Sequence, residues 1–192
     1  MNPAGSVEGD ARLRLFCALN LPGDVLDRLV EWQSGLAPAG FRTVPRENLH
    51  VTLAFLGVRP AGDVDAIRAE LEAAVCAAGP IVLQARHYRE TRSVGMVVFD
   101  DERGAAASLA ADLHGGLRRL GVYEPERRPW LPHVTVVRFR ERPRLRAGVP
   151  DLGAVSPSDA AVYHSVLRPS GAQYVVVHVI SLCPLEPCPL EP

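Results

Sequence analysis

The pattern of apolar and polar positions predicts a chain with more strands than helices. Apolar residues three or four positions apart, bounded by glycine or proline, predict helices over residues 22–36, 63–78 and 102–120. Alternating or continuous short apolar runs predict extended segments over residues 13–21, 41–44, 49–56, 81–88, 94–99, 131–139, 160–167 and 174–182. Because several neighbouring strands are separated only by short turns, we expect an α+β fold with mostly antiparallel sheets.

Three segments fall outside this pattern. Residues 1–11 form a polar stretch, which we expect to be a flexible leader. Residues 183–192 contain a repeated proline-rich unit, which predicts a disordered or loosely packed tail. Prolines and glycines interrupt residues 140–157, so this segment is predicted to be an irregular loop with short extended pieces. The sequence therefore predicts one domain over residues 1–182, followed by the tail.

The composition is that of a soluble globular protein. Of the 192 residues, 47% are hydrophobic and 22% are charged, and the net charge is -1. This balance gives no overall field that would attract a polyanion, but positive charge is concentrated locally. Arginine precedes the 131–139 strand and recurs at alternate positions from its end, at Arg127, Arg128, Arg138, Arg140, Arg142, Arg144 and Arg146. These side chains form either an ordinary solvated face or a rim for a phosphate backbone.

The cysteines and the N-terminal residues indicate the cellular compartment in which the protein is expected. The four cysteines show neither the spacing of a metal finger nor a redox Cys-x-x-Cys motif. The first residues lack the basic and then apolar design of a signal peptide, and no apolar run approaches the ~20 residues that span a bilayer. We therefore expect a cytoplasmic protein with reduced thiols and no membrane association.

One short motif occurs twice in similar apolar strands. The segments LHVTLAF, residues 49–55, and PHVTVVR, residues 132–138, share a His-x-Thr core. On a strand, residues two apart project from the same face, so His50 lies beside Thr52 and His133 beside Thr135. One copy falls in each half of the chain, which suggests a duplicated, bilobal architecture with the site in a pseudo-twofold cleft between two sheets and their flanking helices.

The residue types in the motif suit phosphodiester chemistry. Imidazole titrates near neutral pH, so a pair of rings can accept one proton from water and give another to a departing alkoxide. Hydroxyls at Thr52 and Thr135 can donate hydrogen bonds to the phosphate oxygens. A single strand histidine is usually structural, but the second copy favours a paired site. Because a catalytic zinc is typically held by three protein ligands, we predict a reaction without metal or cofactor.

Three segments resemble a known family. RLFCALNLP, ENLHVTLAFLG and RPWLPHVTVVRF are similar in order and spacing to the marked segments of the two-histidine phosphoesterases. Within that group, the chain resembles the LigT-like RNA 2′,3′-cyclic phosphodiesterases, also called 2′-5′ RNA ligases. The resemblance covers residues 13–182 and implies an enzyme that opens 2′,3′-cyclic phosphate ends of RNA or nucleotides. The sequence gives no sign of an obligate protein partner, and we expect a monomer.

The resemblance implies a role for each motif residue. The family pattern HxTxxF matches His50, Thr52 and Phe55, and HxTxxR continues from His133 to Arg138. By this likeness His50 is the general acid for the ribose O3′, and His133 is the general base for water. Arg138 holds the phosphate through a fork of donors, and Phe55 stacks on the terminal base. The expected product is a 2′-phosphate.

Other functions remain possible from the sequence alone. Joining a cyclic phosphate end to a 5′-hydroxyl is the reverse chemistry and requires the same site. The substrate could instead be a nucleotide-sugar with a cyclic phosphate, or an oligoadenylate. A protein of another class, one that binds RNA without catalysis, is disfavoured because both histidines and both threonines are present.

The offset of Phe55 and Arg138 conflicts with a regular strand. Each lies five positions after its histidine, and an odd offset turns a side chain to the opposite face. A bulge, a strong twist or the end of the strand could redirect both side chains, so we predict an irregularity near Ala54 and near Val137.

Other aromatic and histidine residues are lesser candidates. We expect Phe16 to be part of the core rather than of a cleft wall. Trp130 is equally suited to a substrate rim and to packing. The remaining histidines lack a following threonine and are predicted to be structural or surface residues, at positions His87, His114, His164 and His178.

Overall fold

The computed structural model describes residues 11–36, 41–125, 128–169 and 171–182, and it contains strands and helices in the predicted order. The nine strands of these ranges are β1 Arg12–Asn20, β2 Arg42–Thr43, β3 Val51–Pro60, β4 Leu83–Glu90, β5 Val94–Asp100, β6 His133–Arg138, β7 Ala154–Val155, β8 Asp159–Arg168 and β9 Gly171–Ser181. The helices are α1 Gly23–Ser34, α2 Val64–Ala77 and α3 Ala105–Arg119, with short 3-10 turns at Arg46–Asn48 and Ala61–Asp63. The α+β prediction is confirmed. The predictions for the leader up to residue 10 and for the tail, residues 183–192, lie outside the described residues.

The strands form one continuous sheet in which all pairs are antiparallel. Its order is β7-β4-β5-β6-β3-β1-β8-β9, and β2 pairs with β6. Strands β3 and β6 carry the two His-x-Thr motifs and meet at the centre, through the pair Val51 and Val134. The two sheets expected from the sequence are therefore joined into one at this pair. Alternating residues show that a segment is a strand, but they do not specify its neighbour, so the junction could not be predicted.

The hydrophobic core fixes which face of β3 and β6 is available for chemistry. Val51, Leu53, Val134 and Val136 are buried among the apolar residues of the core. Helix α3 contacts β3, and α1 contacts β6. Because successive side chains point to opposite faces, the histidines and threonines of both motifs project away from these core residues. No helix in the described part of the chain is long and apolar enough to cross a membrane.

Candidate active site

A cleft of about 560 Å³ lies over the junction of β3 and β6. Its lining includes all six residues predicted from the motifs, namely His50, Thr52, Phe55, His133, Thr135 and Arg138. The rest of its wall comes from β2, the turn before β3, the end of β8 and the beginning of β9. The structure therefore brings the two sequence motifs, which are far apart in the chain, to a single concave surface.

Both histidine rings are oriented by the backbone in the same way. The Nδ1 atom of His50 lies 2.9 Å from the Asn48 carbonyl oxygen, and that of His133 lies 2.8 Å from the Leu131 carbonyl oxygen. A carbonyl only accepts, so each Nδ1 carries a hydrogen and donates it. Each ring is thus left with Nε2 for proton exchange. In His50 this atom lies 3.1 Å from the Thr52 hydroxyl oxygen.

Each motif strand contains an extra residue at the same place. Between β1 and β3 the register shifts by one residue, so that Leu53 has no partner. Between β5 and β6 a similar shift leaves Val136 without a partner. Leu53 and Val136 each lie three positions after the motif histidine. Such a bulge reverses the facing of the side chains that follow it. In β3 this reversed facing includes Phe55 and extends to a second register shift, which leaves Leu56 without a partner.

The bulges bring Phe55 and Arg138 to the cleft. From each histidine onward the six residues show the same burial, with the third intermediate, the fourth and fifth buried and the sixth exposed. Phe55 is 60% exposed and Arg138 is also exposed, and both line the cleft with the histidines. The predicted irregularities near Ala54 and Val137 are confirmed.

An aromatic cluster lies beneath His50. Phe16 is 2% exposed, and its ring centroid is 5.0 Å from that of His50 and 5.8 Å from that of Phe55. Tyr163 stacks on Phe16 at 5.0 Å, and Tyr174 meets Phe16 edge-on at 4.8 Å. Phe16 is therefore a core residue, as expected, and it also supports the ring of His50. The apolar surroundings determine the charge state of that ring.

Burial lowers the pKa of His50 to about 4, and the positive charges of His133 and Arg138 act in the same direction. The hydrogen bond to the Asn48 carbonyl opposes them, because it favours the protonated ring. At neutral pH the His50 ring is therefore uncharged in the free protein.

The arginines near the second motif do not all face the cleft. Arg138 lines it and is directly opposite Arg42 across the β2–β6 pair, and Arg168 also lines it. Arg142 instead pairs with the nearly buried carboxylate of Glu90, which also accepts hydrogen bonds from backbone N–H groups of the 140–157 segment. That contact anchors the segment. Arg128 lines a neighbouring cavity, and Arg127 lies outside the described residues.

Sequence reasoning did not identify several residues of the cleft wall. Arg42 reaches it from a two-residue strand, and Asn48 donates from its side chain to the Ala172 carbonyl at 3.0 Å. Tyr174 is placed beside His50 by the β8–β9 hairpin, with ring centroids 5.4 Å apart. None of these residues stands in a repeated motif. Their alternating surroundings indicate only a strand or a turn, so no sequence signal distinguished them.

The lesser candidates lie outside the cleft. The indole Nε1 of Trp130 donates to the Thr52 carbonyl at 3.0 Å, and Trp130 lines the neighbouring cavity. His114 contacts the backbone of β3, and His178 pairs with Glu72. Across the described ranges, no group of three histidine, cysteine, aspartate or glutamate side chains is arranged to hold a metal ion.

Comparison with known proteins gives consistent matches. Residues 19–89 match the family model described as LigT like phosphoesterase. The chain is 33% identical over 184 residues to an RNA 2′,3′-cyclic phosphodiesterase of Thermus thermophilus, covering 88% of this chain and 90% of that protein.

Solved structures show the same fold. A crystal structure of a Thermus thermophilus protein has a TM-score of 0.77 at 29% identity, covering 88% of this chain and 98% of that chain. Escherichia coli LigT complexed with 3′-AMP has a TM-score of 0.76 at 21% identity, covering 90% of this chain and 99% of that chain.

Proposed function

Because the chain belongs to the LigT-like phosphoesterase family, we propose that it hydrolyses 2′,3′-cyclic phosphate ends of RNA or nucleotides to 2′-phosphates without a metal ion. One observation carries the proposal. Two imidazole rings with the same backbone-held orientation share one cleft with an arginine, Arg138, that has no described carboxylate partner. The Thermus relative bears the name of the same activity.

The proposed reaction uses one proton acceptor and one proton donor. Nε2 of neutral His133 takes a proton from water, and the water oxygen forms a bond to phosphorus. The bond from phosphorus to O3′ breaks, and O3′ receives a proton from Nε2 of protonated His50. Arg138 and the two threonines donate hydrogen bonds to the non-bridging oxygens, on which negative charge increases in the transition state. The product carries a 2′-phosphate and a free 3′-hydroxyl.

The general-acid role requires His50 to gain a proton when substrate binds. In the free protein its pKa is about 4, chiefly because of burial. A cyclic phosphate brings a negative charge next to the ring, and an opposite charge within a few ångströms favours the protonated form. The negative charge of the substrate therefore opposes the positive charge of Arg138, which helps to lower this pKa in the free protein.

This step predicts a measurable change in the titration of His50. Ring NMR signals should show that His50 in the free protein stays neutral well below pH 6.5, the ordinary midpoint of a histidine. Addition of a nucleoside 2′-phosphate should move the midpoint upward. If the midpoint stays near 4 with the ligand bound, His50 is not the acid, and the two histidines exchange roles.

The product of the reaction tests the function as a whole. Purified protein would be incubated, with a chelator present, with an RNA that ends in a 2′,3′-cyclic phosphate. We expect complete conversion to a 2′-phosphate end, and no loss of rate when the chelator is added. Formation of a 3′-phosphate would contradict the assigned leaving group. A joined product with a 5′-hydroxyl RNA would show that the same site works as a ligase.

Base stacking by Phe55 predicts a loss of binding without loss of chemistry. Phe55→Ala removes an exposed ring at the cleft. Stacking on an aromatic ring contributes about 1–3 kcal/mol per base, so KM should rise about 5-fold to 150-fold while kcat changes little. Val58→Ala is the matched control, because Val58 is exposed on the same strand outside the cleft. An unchanged KM for Phe55→Ala would remove Phe55 from the binding site.

A further inference from the structure

The carbonyl groups of the two bulge residues are held in an equivalent way. The Leu53 carbonyl oxygen lies 2.8 Å from Nε2 of His114, on α3. The Val136 carbonyl oxygen lies 2.6 Å from Nε2 of Gln33, on α1. Both acceptors are the third residue after a motif histidine, and both donors are side chains of a helix that packs on the sheet. The likeness of the two halves of the site thus extends beyond the motifs.

Gln33 is unusual for its position on α1. It is 3% exposed and lies four residues after Leu29, within the buried stripe of the helix. A buried amide is costly unless it is hydrogen-bonded, so an apolar residue would be the simpler choice there. Its amide nitrogen also donates to the Val44 carbonyl at 3.2 Å, and the Val44 N–H donates to the Val136 carbonyl at 2.9 Å. The Gln33 side chain therefore links the β6 bulge, through hydrogen bonds, to Val44, the residue that follows β2.

His114 is held in place for the corresponding contact. Its ring stacks on Tyr123 with centroids 4.5 Å apart and an interplanar angle of 20°. The ring donates from Nε2, because the Leu53 carbonyl can only accept. This histidine has no threonine two positions later and does not line the cleft. Its hydrogen bond to the Leu53 carbonyl holds the backbone of the β3 bulge.

We propose that Gln33 and His114 are positioning residues that maintain the two bulges and thereby direct Arg138 and Phe55 into the cleft. This inference rests on the proposed function, since it assumes that Arg138 binds the phosphate and Phe55 the base. A bulge interrupts the regular ladder of hydrogen bonds between two strands. If the same strand were paired regularly, without the bulge, the side chains that follow would turn to the other face of the sheet. The two helix donors stabilise the bulged form, Gln33 for the phosphate side and His114 for the base side.

A crossed set of double-mutant cycles tests the assignment. Gln33→Met keeps the length of the side chain and removes the donor, and His114→Phe keeps the stacking on Tyr123 and removes the donor. Each substitution should lower kcat/KM roughly tenfold in the native background. The effect of Gln33→Met should persist beside Phe55→Ala and vanish beside Arg138→Ala. The effect of His114→Phe should vanish beside Phe55→Ala and persist beside Arg138→Ala.

Two controls separate positioning from general destabilisation. Leu29→Ala removes a fully buried side chain of α1 that makes no hydrogen bond to the bulge, so any loss that it causes in kcat/KM should be the same with and without Arg138. His114→Gln retains an amide donor and should recover most of the activity lost in His114→Phe. Equal losses in all backgrounds, or no loss at all, would overturn the proposal. Turnover by the native protein, with a loss in Arg138→Ala, shows separately that the proposed function stands.

Discussion

His133→Ala and His50→Ala are each expected to lower kcat on a 2′,3′-cyclic phosphate RNA by about 10²-fold to 10⁴-fold, the usual contribution of a positioned acid or base. The reason is geometric. Each ring has its Nδ1 bound to a backbone carbonyl and leaves only Nε2 for proton transfer, so the alanine substitution removes the one atom of that residue that can exchange a proton with the substrate or with water. Single-turnover rates measured with saturating substrate would report the loss directly.

The two variants should differ when sulfur replaces the ribose O3′. A thiolate departs without a proton, so His50→Ala should recover most of its rate on the 3′-thio substrate. His133→Ala should stay slow, because water still needs a base. His87→Ala is the control, since His87 is exposed and lies outside the cleft. Near-normal hydrolysis of the ordinary substrate by either variant would rule out the acid–base pair, and recovery of both or of neither would refute the division of roles.

Arg138→Lys is expected to lower kcat about 10²-fold to 10³-fold, the loss typical of removing one preorganised donor of an anion site. Lysine preserves the charge but is a compact ammonium, without the planar fork that bonds two phosphate oxygens at once. Arg138→Ala should therefore be only moderately worse than Arg138→Lys. Steady-state kinetics on the same RNA, with kcat and KM resolved, would measure both losses.

Arg140→Lys provides the matched control for this prediction. Arg140 lies two residues further along the chain and is exposed, and it does not line the cleft. Its substitution should leave kcat unchanged. Any change in KM that it causes measures the general effect of losing an arginine on RNA binding. A fully active Arg138→Lys enzyme would show that charge alone suffices and that the bidentate contact is not used.

The sequence predicted those features of the site that repeat. The residues around each His-x-Thr motif predict a strand, and they predict which face of that strand the histidine and threonine share. Two copies in one chain suggested a shared site. The odd offset of Phe55 and Arg138 predicted an irregularity in each strand, because a regular strand turns side chains five positions apart to opposite faces, and in both strands the irregularity is a bulge. The predicted strands and helices agree with the structure for the same reason, since local periodicity determines them.

The remainder depends on pairing between distant segments. Nothing in the local sequence states that β2 lies beside β6, so the approach of Arg42 to Arg138 could not be predicted. Tyr174 reaches the cleft because the β8–β9 hairpin lies next to the turn before β3, where Asn48 bonds the Ala172 carbonyl. The joining of two expected sheets into one depends on the single pair Val51 and Val134, which no periodicity reveals.

That single pair also has a mechanical meaning. A sheet bends most easily where the fewest hydrogen bonds cross between neighbouring strands, and here the weakest crossing runs between the two histidines. Strand β3 is paired along most of its length with β1, and β6 with β5, so each histidine is carried by a stiffer half. A phosphate in contact with both rings would connect the two halves of the sheet. Substrate binding would therefore reduce bending between β3 and β6 and hold the two histidines at a fixed separation.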